Sequence, residues 1–177
     1  MLLNISHFIN ITLNMHSVFH IRTIQPQDNS AIAQVIRDVS AEHGLTTDKG
    51  YSVADPALDT LCEVYAAAQS QYWVLVDIND NVVGGAGIAP LAGKPEVCEL
   101  QKMYILPQAR KQGFARKLIE ICFKEARVLG FEQCYLESTA ELKAALTLYE
   151  KLGFEHLESA WGNTGHGDCE VVMVKAL

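Results

Sequence analysis

The chain has too little positive charge to neutralise a nucleic-acid backbone: 14 Lys and Arg stand against 21 Asp and Glu, for a net charge of -7 and an isoelectric point near 5.3. That argues against nucleic acid as a partner. No apolar run approaches the length of a membrane span, so a membrane partner is not expected either. The five cysteines, Cys62, Cys98, Cys122, Cys134 and Cys169, are an odd set without a CxxC pair. Lacking metal-ligand spacing, they read as reduced core thiols of a cytoplasmic protein, with no disulfide and no metal. The apolar stretch Met1 to Asn14 has no Lys or Arg ahead of it and no A-x-A site after it, which argues against a secretory signal. Two familiar phosphate cradles are also missing. There is no Gly-Lys-Ser/Thr, and no GxGxxG follows the first strand.

What is present suffices for one core. At 177 residues and 49% apolar content the chain fits a single domain, residues 15–177, with residues 1–14 as an N-terminal extension ahead of Met15. Val18 to Ile24 is rich in β-branched residues and predicts a strand. From Asp28, a candidate N-cap, Ile32, Val35, Ile36 and Val39 recur at helical spacing up to Gly44. Asp55-Pro56 predicts the start of a second helix carrying Leu58, Leu61, Cys62 and Tyr65. Tyr72 to Ile78 and Val82 to Ala89 flank Asn79-Asp80-Asn81 as a hairpin, and Val97 to Ile105 adds a third strand.

Ala115, Leu118, Ile119, Cys122, Phe123, Ala126 and Leu129 then mark a strongly amphipathic helix closed by Gly130. A short strand, Gln133 to Glu137, leads to Ser138-x-x-Glu141, which reads as a capping box for a helix with Leu142, Ala145, Leu146, Tyr149 and Leu152 on one face. Phe154 to Ala160 and Cys169 to Lys175 predict two closing strands. The order β-α-α-β-β-β-α-β-α-β-β fits a mixed α/β fold, one sheet flanked by helices.

Chemistry concentrates between Glu99 and Arg116, where a strand passes through a short loop into the clearest helix. Arg110, Lys111, Arg116 and Lys117 bring four of the 14 basic residues within eight positions. A helix N-terminus offers unpaired N–H groups and positive dipole character, Gly113 permits close backbone approach, and Ala115 stays small. This is a candidate pyrophosphate cradle; the alternative from spacing alone is a helix start with a solvated basic face.

Arg110-x-x-Gly113-x-Ala115 resembles the Arg/Gln-x-x-Gly-x-Gly/Ala motif of GNAT N-acetyltransferases. Ala145-x-x-Leu148-Tyr149-Glu150-Lys151-Leu152-Gly153-Phe154 is similar to that family's Leu-Tyr-x-x-x-Gly-Phe signature. The likeness runs from about Val18 to Leu177 with the same order of elements. It implies a splayed sheet in which the strand containing Glu99 parts from the one before Ser138. Acetyl-CoA, the implied donor, would pair its pantetheine arm with the backbone of Met103, Tyr104 and Ile105. Its pyrophosphate would lie on Arg110, Lys111, Gln112, Gly113, Phe114, Ala115 and Arg116. Many members carry Asn near the start of the penultimate helix, where this chain has Leu142, so a side-chain contact there is not implied.

The same resemblance implies Glu99 as the general base, with Glu137 as fallback, and Tyr149 as the acid for the departing thiolate. The implied reaction is direct acetyl transfer to a small-molecule amine in a ternary complex. A protein lysine or N-terminus is the alternative acceptor, and a non-catalytic acyl-CoA binder the alternative class. The loop Gly162 to Cys169 reads as a tight closing turn; the resemblance implies that its His166 and Asp168 could reach the acceptor. A homodimer is compatible with the sequence.

Overall fold

The structure, a computed structural model, describes residues 18–49, 51–161 and 169–177. The expected extension 1–14 and the loop residues His166 and Asp168 lie outside the described residues. Strands β1 (Phe19–Thr23), β2 (Gln71–Asp77), β3 (Val82–Leu91), β4 (Lys94–Ile105), β5 (Gln133–Ser138), β6 (Glu155–His156) and β7 (Val171–Ala176) form one sheet in the order β1-β2-β3-β4-β5-β7-β6. Every neighbouring pair is antiparallel except β4 and β5, which the crossover helix makes parallel. The mixed sheet flanked by helices is therefore as the sequence predicts.

Helices α1 (Asn29–Glu42) and α2 (Leu61–Val64) cover one face, and α3 (Phe114–Val128) and α4 (Lys143–Lys151) pack with the core of the other. In α3, Phe114, Leu118, Ile119, Cys122, Phe123 and Ala126 are all buried. Spacings of three and four put them on a single stripe, and each large member contributes about 1.5–3 kcal/mol relative to exposure. Cys98, Cys122 and Cys134 are buried in this core and Cys62 and Cys169 are half-buried, with no disulfide among the described residues.

Several local expectations shift. Asp28 does not cap α1 through its side chain; its carboxylate accepts the Gln25 N–H at 2.8 Å and binds Arg22 at 2.6 and 2.9 Å. Asp55-Pro56 does not open a long helix. Asp55 instead accepts the Ala57 N–H at 2.8 Å, a 3-10 turn follows over Leu58–Thr60, and only one α-helical turn results. The Ser138/Glu141 capping box does not form either: Ser138 stays in the sheet opposite Val171, the Glu141 N–H turns to the Thr139 hydroxyl (3.5 Å), and α4 starts at Lys143 without a side-chain cap. Phe154 to Ala160 shortens to the two residues of β6.

Candidate active site

Pairing of β4 with β5 covers Val97–Gln133, Cys98–Cys134 and Glu99–Tyr135, and there it ends, although β4 continues to Ile105 and β5 to Ser138. The two strands therefore part just past Glu99. A cleft fills the gap, lined among others by Glu99, Gln101 and Met103 of β4, Glu137 of β5, Tyr149 of α4, and Tyr51.

A β-bulge decides which way these side chains face. Between the pairs Gly85–Tyr104 and Gly87–Gln101, Lys102 and Met103 together stand opposite Ala86. Lys102 takes a left-handed φ of 49°, which costs a non-glycine residue about 1–2 kcal/mol. Two contacts hold it there. The Tyr72 hydroxyl donates to the Lys102 carbonyl at 2.8 Å, and the Lys102 ammonium lies 2.7 Å from Asp55. Upstream of the bulge Cys98 and Leu100 face the α3 core, which turns Glu99 and Gln101 to the α1 side. Downstream the phase reverses: Met103 and Ile105 join the α3 core and Tyr104 joins the α1 core. Tyr104 thus points its ring into the interior, leaving its backbone as the part that can meet a ligand.

Glu99 is 4% exposed, and its carboxyl is pushed up to about 7. Burial is the main cause, opposed by a hydrogen bond from Gln101; Glu137 raises it further and Lys102 lowers it. The Gln101 Nε2 donates to Glu99 Oε2 at 2.6 Å, and the Tyr65 hydroxyl donates to Gln101 Oε1 at 2.8 Å. Glu137 accepts the Tyr135 hydroxyl at 2.7 Å.

On the α3 side, the Tyr149 hydroxyl lies 4.0 Å from Met103 Sδ, so the structure brings these two predicted residues together. Burial pushes the Tyr149 phenol well above its ordinary range and keeps it protonated. Its ring meets Phe154 edge-on at 5.7 Å, so the tyrosine and the Gly-Phe that follows it pack together.

The loop into α3 is shaped by two left-handed residues, Lys111 (φ 60°) and Gly113 (φ 83°). The Lys117 N–H bonds the Gly113 carbonyl at 3.1 Å, so Phe114, Ala115 and Arg116 form the first turn, whose N–H groups have no carbonyl a turn earlier in the helix. Lys111, Gln112 and Gly113 are exposed beside them. The basic side chains are less uniform than their spacing implies. Arg110 makes a bidentate bond to Glu42 of α1, 2.7 Å at each end, and donates to the Ile105 carbonyl at 2.7 Å. Its guanidinium braces the strand-to-helix loop against α1. Arg116 pairs with Glu120 at 3.3 Å, and the Gln112 amide donates to the Gln108 carbonyl at 3.0 Å.

Tyr65, Tyr72, Gln101 and the Asp55–Lys102 pair surround the site without having been singled out in the sequence for that role. One signal was available, the glycines of β3. A Cβ at Gly85 would sit 2.6 Å from the Tyr72 ring, and one at Gly87 would sit 2.5 Å from Tyr72 and 2.8 Å from Tyr65. Glycine inside a strand marks such close approach.

Residues 38–154 match the model of a family described as the acetyltransferase (GNAT) family. Over 157 residues the chain is 57% identical to a protein of Escherichia coli (strain K12) called uncharacterized N-acetyltransferase YjgM, covering 88% of this chain and 93% of that one. Among solved structures it is similar to a GNAT-family acetyltransferase from Staphylococcus aureus Mu50, with a TM-score of 0.76 and 16% identity over 89% of this chain and 98% of that one. It is also similar to a phosphinothricin acetyltransferase from Sinorhizobium meliloti solved in complex with AcCoA, with a TM-score of 0.70 and 20% identity over 90% and 89% of the two chains.

Proposed function

The chain belongs to the GNAT acetyltransferase family, and from that premise we propose that it moves an acetyl group from acetyl-CoA to the primary amine of a small-molecule acceptor, directly in a ternary complex. The observation that carries this reading is the parting of β4 from β5, with the Glu99 carboxylate turned to one face of the opening and the Tyr149 hydroxyl at the other. A thioester threaded through the opening would meet its acceptor from the Glu99 side and leave its sulfur on the Tyr149 side.

The donor fits what the residues offer. Strand-edge backbone of Met103, Tyr104 and Ile105, past the last β5 partner, suits an extended amide-bearing arm. The exposed turn Lys111 to Gly113 and the N–H groups of Phe114 to Arg116 suit a pyrophosphate. Arg110 contributes by bracing this loop through Glu42 and Ile105.

An alkylamine reaches the site as an ammonium ion, with a pKa of about 10. Glu99, poised near 7, takes one of its protons through a water, and the freed nitrogen pair attacks the thioester carbon. The carbonyl π pair moves onto oxygen, where the Met103 N–H stabilises it. Collapse re-forms the carbonyl and breaks the C–S bond. The sulfur takes the Tyr149 proton, the proton shed by the new amide nitrogen restores the tyrosine, and Glu99 passes the proton it took to bulk water.

The test is CoA-thiol release from acetyl-CoA against a panel of primary amines, with products identified by mass. Transfer to at least one amine, with intersecting initial-rate lines, is expected; parallel lines or a trapped acyl-cysteine would overturn direct transfer. Acetyl-CoA binding without transfer to any amine, lysine peptide or peptide N-terminus would overturn catalysis altogether. In Tyr149→Phe, kcat at saturating substrates should fall about 100-fold, the lower end of what a positioned proton donor supplies. Undiminished turnover there removes the acid role alone.

A further inference from the structure

Beside the cleft, an unbroken hydrogen-bonded line runs from a buried phenol to the Glu99 carboxylate. Tyr65, just past α2, is 3% exposed, and its hydroxyl gives its single proton to Gln101 Oε1 at 2.8 Å. An amide has one accepting end and one donating end, so filling Oε1 leaves Nε2 for Glu99 Oε2, 2.6 Å away. The reverse orientation would set Oε1 against a carboxylate oxygen, two acceptors in contact. Burial and the charge of Glu99 hold the Tyr65 phenol far above its ordinary range, so its proton stays available.

The backbone is built to seat this tyrosine. Gly87 stands opposite Gln101 in the β3–β4 register, and a Cβ there would lie 2.8 Å from Tyr65 Cε1. A glycine in the middle of a strand weakens it, yet here it brings the phenol over β3 to the amide of the neighbouring strand.

We propose that Tyr65 and Gln101 are a positioning pair that aims the Glu99 carboxylate into the cleft and favours its ionised form, with Tyr65 deciding which end of the Gln101 amide faces it. The inference rests on Glu99 being the base. Other groups also face Glu99 or its cleft: Glu137 and Tyr135 from β5, Lys102 from β4 with its partner Asp55, Tyr51, and Cys169 ahead of β7. None of them is altered by substitutions at positions 65 and 101.

Gln101→Leu and Tyr65→Phe test the pair. The first removes the donor to the carboxylate, and the second removes only the hydroxyl that orients it while keeping the ring over Gly87. Two readouts are taken: kcat/KM against pH, and the 13C titration of the Glu99 carboxyl in the free protein, assigned by its loss in Glu99→Gln. The acid limb should move to higher pH by about one pH unit in Gln101→Leu, because a hydrogen bond to a charged group is lost, and by less in Tyr65→Phe. The carboxyl titration should follow in both variants, and the high-pH plateau should fall about threefold or more as the carboxylate loses its aim. A lowered plateau or thermal midpoint with an unmoved carboxyl titration would mean a structural role only and would overturn the proposal. Undiminished turnover in Glu99→Gln would sink the base assignment instead, and the carboxyl titration would still decide whether the pair governs Glu99.

Discussion

Around Gly113 every group suited to meeting an anion comes from the contiguous stretch between Ile105 and Lys117, whereas the carboxylate of Glu99 is surrounded by groups from separate segments. These are Tyr65 beyond α2, Gln101 and Lys102 of β4, Glu137 of β5, and Tyr51 between α1 and α2. The first region uses backbone N–H groups and two left-handed residues, so it is nearly indifferent to which side chains surround it. The second uses side chains throughout, so its chemistry changes with any one of them. In the proposed function the first half of the opening takes the donor and the second takes the acceptor.

The hardest test of that division is Glu99→Gln. It should lower kcat about 10²–10⁴-fold and leave acetyl-CoA affinity unchanged, which steady-state kinetics and calorimetry check. The same substitution should stabilise the protein in alkali. Because the folded pKa of Glu99 is raised, to about 7, folded protein holds this proton more tightly than unfolded protein does. Stability is therefore lost as pH rises from the ordinary carboxylate range through about 7, and it stays lost above. Denaturant titrations should find Glu99→Gln more stable than wild type by on the order of 3 kcal/mol at pH 9, with no difference near pH 4.

A change on the other side should do the converse. Gly113→Ala puts a side chain at φ 83° at a cost of about 1–2 kcal/mol, which the free turn escapes by relaxing out of its anion-binding shape, so acetyl-CoA affinity should fall about tenfold while the Glu99 carboxyl titrates as before. If that titration moved, the two regions would not be separate. The smallest effect is expected at Arg110→Ala. This variant loses a partly exposed pair with Glu42 and a bond to the Ile105 carbonyl, so chemical denaturation should register about 1 kcal/mol, with a matching loosening of acetyl-CoA binding. A much larger fall in affinity would place the guanidinium on the donor itself.

The difference between the regions also explains what could be read early. The stripe of α3, the glycine at its cap, and the Tyr149-to-Phe154 signature are local patterns governed by helical periodicity and backbone φ, so they survive without tertiary information. The missed elements involve competition between distant groups. Ser138 and Glu141 have capping-box spacing, but Ser138 is held in the sheet opposite Val171 of the neighbouring strand and the Glu141 N–H turns to the Thr139 hydroxyl. Tyr65 sits on a helical stripe and does pack in the α1 core, yet its hydroxyl belongs to the site.

By itself the amino-acid order determined most of the alternation of strands and helices and the glycine-led start of α3, because each depends on neighbours a few residues away; it pointed to Glu99 and Tyr149 through the resemblance to a known family. Tertiary structure alone decided that β4 leaves β5 after Glu99 and that a bulge at Lys102 reverses the phase of the strand. It alone buried the carboxylate deeply enough to hold it near 7. A strand's pairing partners, and the water excluded from one of its side chains, are properties of what folds against it.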